Sequence, residues 1–313
     1  MQLVRHLVDM PFDELRNGSV VTIGSYDGLH LGHRHLLDRV LATAREKNVP
    51  AVVMSFEPTP KEFFQASSPP ARLMRFREKF DVLKDCGIDI FYCPRFSKSM
   101  RGISAADFVR RILIQSLNMS SLVVGDDFRF ARKREGGITQ LRRTSELFNY
   151  SINQVPSVIV DGFRVSSTAI RQACEAGRME QATALLGRPY RMSGKVVEGA
   201  KLGRSLGFPT ANVDLRRRQC PVFGIFAVRV QGLAGGARDG VASVGSRPTF
   251  NGSKPLLEVF LFDFDDDIYG EYIHVDFIAF LRKQKKYDVV DDLVAQMHED
   301  ADNARSILTT HAA

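Results

Sequence analysis

The apolar pattern of this chain changes character once, at Gly187-Arg188-Pro189, and the patterns on either side demand different architectures. From Ser19 to about Leu186, short β-branched runs alternate with segments of helical periodicity; the runs are SVVTIG, VPAVVMSF, IDIFYC, SLVVG and the region around QVPSVIV. Strands separated by helices build an α/β domain with a parallel sheet. Leu36, Leu37, Val40, Leu41 and Ala44 share one helix face, Phe80, Val82 and Leu83 head a helix that Gly87 ends, and Ser104 is placed to cap a helix from Ala105 to Leu117. Beyond the change, KVV, IFAVRV, VASVG, LLEVFLFDF and YIHVDFIAF are separated by loops bearing Gly and Pro. That order predicts an antiparallel sheet or small barrel. Val290, Leu293, Val294 and Met297 then mark one face of a closing helix from Val289 to Leu308. With 313 residues the chain can complete two cores, and the expected domains are residues 1–186 and 187–313.

No apolar run approaches the length of about 18 residues that a membrane span needs, and charges are spread through the first 19 residues. The expectation is an unprocessed cytoplasmic protein with no membrane partner. Cys86, Cys93, Cys174 and Cys220 lie far apart with no C-x-x-C pair, so neither a zinc ribbon nor a disulfide framework is encoded. The net charge of +7 is uneven: 26 Lys+Arg face 20 Asp+Glu up to Leu186, and 17 face 16 thereafter. A basic surface on the first part attracts nucleotide phosphates or nucleic acid, but a solvated basic face without a role is equally common.

GSYDGLHLGH, residues 24–33, joins the SVVTIG strand to the helix that begins near Gly32. The amides at that helix start point at whatever occupies the turn, which favours phosphate. His30 and His33, three residues apart, can face one ligand, and Gly28 and Gly32 let phosphate approach the backbone. Imidazole donors there would stabilise the charge that builds on an attacked α-phosphate and on departing pyrophosphate. The competing readings are two surface histidines, or half of a zinc site completed by His35 or Asp27. Later, VSSTAIR places the hydroxyls of Ser167 and Thr168 at a helix start with Arg171 one turn on, where its fork can reach the same phosphates. Read alone, this is an ordinary helix cap.

GAKLGRSLGFPTANVDL, from Gly199, is not a P-loop: Gly199 and Gly203 have three residues between them, followed by Arg204-Ser205. It reads as a flexible Gly-rich flap, with Gly207 as its third glycine, leading into Phe-Pro-Thr-Ala-Asn, where Pro209 stiffens the chain and Thr210 and Asn212 alternate onto one side. A hydroxyl and an amide together make a partial shell for Mg²⁺. A plain Gly-rich hairpin is the alternative.

These motifs resemble those of the bacterial bifunctional riboflavin kinase/FMN adenylyltransferases. G-x-[FY]-D-G-x-H-x-G-H is matched at Gly24, Asp27, Gly28, His30, Gly32 and His33, with Tyr26 where phenylalanine is usual. VVGDDFRFARKREG, from Val123, is similar to the second motif, which implies that Asp127 binds flavin or positions adenine; Ala131 stands where glycine is commoner. VSSTAIR resembles the third. The string from Gly199 to Asn212, GSRPTF from Gly245 and LEVFLFDFDDDIYG from Leu257 resemble the kinase module. The resemblance implies that Glu258 is the general base for the ribityl 5′-hydroxyl and that Arg282 and the last helix cover the flavin. Phe260 replaces a histidine, Ser243 an asparagine, and Gln284 occupies a frequently acidic position.

The resemblance therefore implies a Rossmann-like nucleotidyltransferase domain with a parallel sheet, followed by an antiparallel β-barrel with a terminal helix. It implies Mg²⁺-ATP, riboflavin, FMN and FAD as cofactor, substrates and products, no nucleic-acid partner, and a monomer or transient homo-oligomer. Two rivals stand beside it: a nucleotidyltransferase for another phosphate substrate whose barrel has lost kinase activity, and a basic nucleic-acid binder on a degenerate scaffold. Thr210, Asn212 and Glu258 oppose the first. The near-neutral second half, without the aromatic strand signature of an RNA reader, opposes the second.

Overall fold

The computed structural model describes residues 1–199, 203, 206–249 and 252–310. Arg204 and Ser205 of the glycine flap and Phe250 of GSRPTF lie outside the described residues. The chain forms two compact units: residues 1–70 with 75–165, and residues 71–74 with 166–313.

The first unit is built on a parallel six-stranded sheet of β1 (Gln2–Val4), β2 (Ser19–Ile23), β3 (Ala51–Met54), β4 (Ile90–Tyr92), β5 (Met119–Gly125) and β6 (Ser151–Val155). The strand order is β1-β4-β3-β2-β5-β6. Strands β2, β3 and β4 are buried along their whole length, which is why they read as continuous apolar or small runs instead of alternating ones. The connection from β2 runs one way to β3, while β5 lies on its other side, so the order reverses between β2 and β5. In open α/β sheets the crevice beyond the carboxyl ends at such a reversal is where ligands bind. The Leu31–Lys47 helix packs on β2, β3 and β5, burying Leu37, Val40, Thr43 and Ala44.

Two local expectations are modified. Ser104 does cap, its hydroxyl accepting from the Asp107 N–H at 3.1 Å, but the helix passes into a π-helical turn over Phe108–Ile114 and stops before Asn118, whose φ is +41°. The QVPSVIV region holds two elements, because Pro156 supplies no N–H to continue the ladder: β6 ends at Val155, and a short hairpin of β7 (Ile159–Val160) and β8 (Phe163–Arg164) follows.

In the second unit a closed antiparallel barrel has the order β10-β13-β12-β11-β14-β9, formed by β9 (Tyr190–Val197), β10 (Thr210–Asp214), β11 (Gly224–Gln231), β12 (Arg238–Thr249), β13 (Gly252–Leu261) and β14 (Tyr272–Arg282). The helices Ser167–Glu175 and Met179–Leu186 belong to this unit by packing, although they precede the change in sequence pattern. Met179–Leu186 lies against β9 and β14. Arg217, 7% exposed, donates to the carbonyls of Arg72 and Leu73 and to the Tyr190 hydroxyl, which ties the 71–74 segment to the barrel. The terminal helix, Val290–Thr310, covers one outer face with Ala301, Ala304 and Leu308 packed on Phe208, Ala227 and Phe262.

Candidate active sites

The turn after β2 is built from three positive-φ positions, Tyr26 (+49°), Gly28 (+89°) and Leu29 (+43°), which reverse the chain tightly into the Leu31–Lys47 helix. Tyr26 is buried, and its hydroxyl shares a 2.6 Å hydrogen bond with the equally buried Thr22 Oγ1. That bond accounts for a tyrosine at this position. Asp27 and His30 are buried too. His30 is the N-cap: its Nδ1 accepts from the His33 N–H at 3.2 Å, and the two imidazoles stack with centroids 3.6 Å apart and planes 13° apart. A Cβ at Gly32 would lie 3.3 Å from the His30 ring, and one at Gly24 would lie 3.0 Å from the Tyr26 ring. These glycines keep the turn compact.

Burial holds the His33 pKa well below 6.5, assisted by the neighbouring charges of His30 and Lys79. His33 is therefore neutral at neutral pH, able to donate a hydrogen bond to developing charge without being an imidazolium. Its Nδ1 is buried and makes no hydrogen bond among the described residues. Parallel stacked rings, one with its Nδ1 already engaged, do not converge on a shared metal, which disfavours the zinc alternative.

The second motif follows the carboxyl end of β5, across the strand-order reversal from the first. Asp127 is exposed and paired with Arg164 at 2.7 Å. Asp126 accepts from the hydroxyl and the N–H of Ser157, and chiefly that hydroxyl bond, with Arg164 adding charge, lowers its pKa from the usual carboxylate range. Phe130 is buried in the core and stacks on Phe128, giving the Asp-Phe-Arg-Phe order a packing reason. Ala131 sits at φ +65°, a conformation that favours glycine.

In the third motif Ser166 is the cap, accepting from the Ala169 N–H at 3.2 Å, so Ser167 and Thr168 occupy the first helical positions. The Arg171 Nε donates to the Ala71 carbonyl at 2.6 Å, and its Nη1 to the Ser167 carbonyl at 3.2 Å. Arg171, Ser167 and Thr168 lie in the second unit, while His30, His33 and Asp127 lie in the first.

On the barrel, Asn212 of β10, Glu258 of β13 and Ser243 of β12 are successive cross-strand partners in one rung. Cross-strand partners point to the same face, and Thr210, two residues from Asn212, shares it. Backbone at Gly199 lies against the Asn212 side chain, where a Cβ would collide, and a Cβ at Gly203 would meet the Phe208 carbonyl and, at 3.2 Å, the Thr210 hydroxyl. Gly207, at φ +82°, makes the turn that delivers Phe208 onto Phe260 and His298 of the terminal helix. Arg282 forms a forked ion pair with buried Asp300, which ties it to that helix. Ser243 and Gln284, both departures from the resembled pattern, meet: the Gln284 Nε2 donates to the Ser243 Oγ at 3.0 Å.

The two halves match separate families: the FAD synthetase family model over residues 12–169 and the riboflavin kinase family model over 186–308. The bifunctional riboflavin kinase/FMN adenylyltransferase of Escherichia coli K12 is 41% identical over 305 residues, covering 97% of each chain. That of Haemophilus influenzae is 39% identical over 310 residues, covering 99% of this chain and all of its own. The chain belongs to the bifunctional riboflavin kinase/FMN adenylyltransferase family.

A solved structure described as a macrolide-efflux protein from Streptococcus pneumoniae is 32% identical, with a TM-score of 0.82 and coverage of 97% of this chain and 98% of that one. Among the described residues here, no helix is long and apolar enough to cross a membrane. For this family member, sequence reasoning missed Lys79, which is 3% exposed and whose Nζ donates to the Ser25 carbonyl of the histidine turn at 2.6 Å. In the string RFREKF it reads as one more solvated cation, and only the fold turns it inward. A cavity of about 290 Å³ lined by Ala71, Glu175, Arg218, Phe223 and neighbours contains none of the predicted site residues.

Proposed function

We propose that the chain makes FAD in two steps: riboflavin is phosphorylated to FMN on the barrel, and FMN is adenylylated in the nucleotidyltransferase half. The observation that carries this reading is the rung in which Glu258 stands beside Asn212 with the glycine backbone at 199 packed against it, in a chain that also carries the stacked His30–His33 pair. We assign adenylylation to residues 1–186 and phosphorylation to residues 187–313.

In the kinase step Glu258 takes the proton from the ribityl 5′-hydroxyl as its oxygen attacks the ATP γ-phosphorus; ADP leaves and FMN results. Gly199, Gly203 and Gly207 form the flap over the phosphates. Thr210 and Asn212 fit Mg²⁺, since both offer neutral oxygen donors on one face, each with a glycine beside it where a side chain would crowd the site. When bound with ATP, Mg²⁺ neutralises charge on the phosphate oxygens. Arg282 supports the flavin cover through Asp300.

In the second step a phosphate oxygen of FMN attacks the α-phosphorus of another ATP, and pyrophosphate leaves. The amides after Gly24, Asp27 and Gly28 and at Gly32 form the phosphate cradle. His30 and His33 donate to the charge that develops there. Ser167, Thr168 and Arg171 hold the departing pyrophosphate, and Asp127 orients flavin or adenine, releasing Arg164 when it does so. The protein acts on small molecules alone, in the cytoplasm, as a monomer or transient homo-oligomer. Purified protein given riboflavin, ATP and Mg²⁺ should yield FMN and then FAD by chromatography; an absence of both flavin products would overturn the reading.

A further inference from the structure

Burying an ammonium group costs several kcal/mol before any compensation, and an apolar side chain at the same place on a helix carries no such cost. Lys79 is nonetheless 3% exposed, in the middle of the Phe76–Asp85 helix and in line with fully buried Leu83. Its Nζ reaches the Ser25 carbonyl at 2.6 Å, and the Ser55 hydroxyl, just past the end of β3, donates to that same carbonyl at 3.4 Å. Ser25 immediately precedes Tyr26, the first of the left-handed positions in the histidine turn. A backbone held in that region is strained and persists only where its surroundings impose it.

We propose that Lys79 is a positioning residue for adenylyl transfer: by fixing the Ser25 carbonyl it sets the turn that delivers His30 and His33. The proposal rests on the reading of those histidines as the adenylyl-transfer site. A second effect acts through charge. The His30 imidazole stacks on the His33 ring and the Tyr26 ring lies against it, and the Lys79 charge, after burial and His30, also disfavours a proton on His33. Lys79 thus places the imidazole and, behind burial and His30, adds to what keeps it neutral.

The test uses the full-length protein with Lys79→Met and Lys79→Arg, assaying FAD formation from supplied FMN separately from FMN formation from riboflavin. The expected result for Lys79→Met is a fall in kcat for FAD formation of about tenfold or more, with KM for ATP changed by less than about threefold. FMN formation should stay at the wild-type rate, Lys79→Arg should recover most of the loss, and the His33 ring, followed by NMR, should titrate at higher pH in Lys79→Met. FAD formation by Lys79→Met within twofold of wild type, or a Lys79→Arg no better than Lys79→Met, would overturn the proposal. Should Lys79→Met fail to fold, Lys79→Ala, which removes both donor and charge, is read by the same criteria. Wild-type protein that makes no FAD from FMN would overturn the parent reading as well, whereas active wild type beside an equally active variant would overturn only the part given to Lys79.

Discussion

At the scale of single residues, His33 carries a consequence for pH. Its folded pKa lies well below 6.5, so below pH 6.5 the unfolded chain takes up a proton that the folded protein refuses. Stability from this group is therefore complete above about pH 6.5 and is lost as pH falls toward the folded pKa. Denaturant titrations from about pH 7.5 to about 5.5 should show a decline that is shallower in His33→Gln; parallel declines would mean that His33 titrates as in water. Ala131 offers a test of strain. At φ +65° a glycine is favoured, so Ala131→Gly should raise stability by about 1 kcal/mol, and an unchanged or lower unfolding midpoint would contradict the strained geometry. Tyr26→Phe leaves Thr22, which has no exposed surface, without its 2.6 Å partner; a loss of about 1–2 kcal/mol is expected with little change in FAD formation.

At the scale of elements, the parts of each site that lie on contiguous sequence were legible, and the parts assembled by pairing were not. GSYDGLHLGH announced a strand, a tight turn and a helix start because glycine positions and polar spacing are local properties, and the fold has all three. The strand at Thr210–Asp214 was expected only as an alternation of Thr210 and Asn212, since TANVD has a weak apolar signal; pairing with β13 and β9 makes it a barrel strand. The rung joining Asn212, Glu258 and Ser243 depends on register between strands far apart in the chain, which no local pattern encodes. Lys79 was hidden because a lysine in a charged string looks the same whether its helix face turns out or in. The same rung predicts that Gly199→Ala and Gly203→Ala will impair FMN formation at least tenfold, since the new Cβ would strike Asn212 in the first case and the Phe208 carbonyl in the second. FAD formation from supplied FMN should be untouched, and a kinase tolerant of both substitutions would remove the flap from the mechanism.

At the scale of the whole molecule, the strands β1–β6 before the change of pattern near Gly187 form a parallel α/β sheet, and the strands β9–β14 after it form an antiparallel barrel. Packing draws a different line, with the helices Ser167–Glu175 and Met179–Leu186 and the 71–74 segment grouped with the barrel. Helical periodicity reports which residues are buried but not which sheet they are buried against, so this grouping had no sequence signature. Arg217→Ala removes the buried guanidinium that donates to the carbonyls of Arg72 and Leu73 and to the Tyr190 hydroxyl, and should lower stability by about 2–3 kcal/mol, read as a lower unfolding midpoint. The central claim is that one chain carries two separate chemistries, each with its own residues. It is tested most directly by assaying Glu258→Gln and His30→Ala, both verified as folded, for each step independently. Glu258→Gln should lose FMN formation from riboflavin while still converting supplied FMN to FAD, and His30→Ala should do the reverse; loss of both steps in each variant would contradict the account.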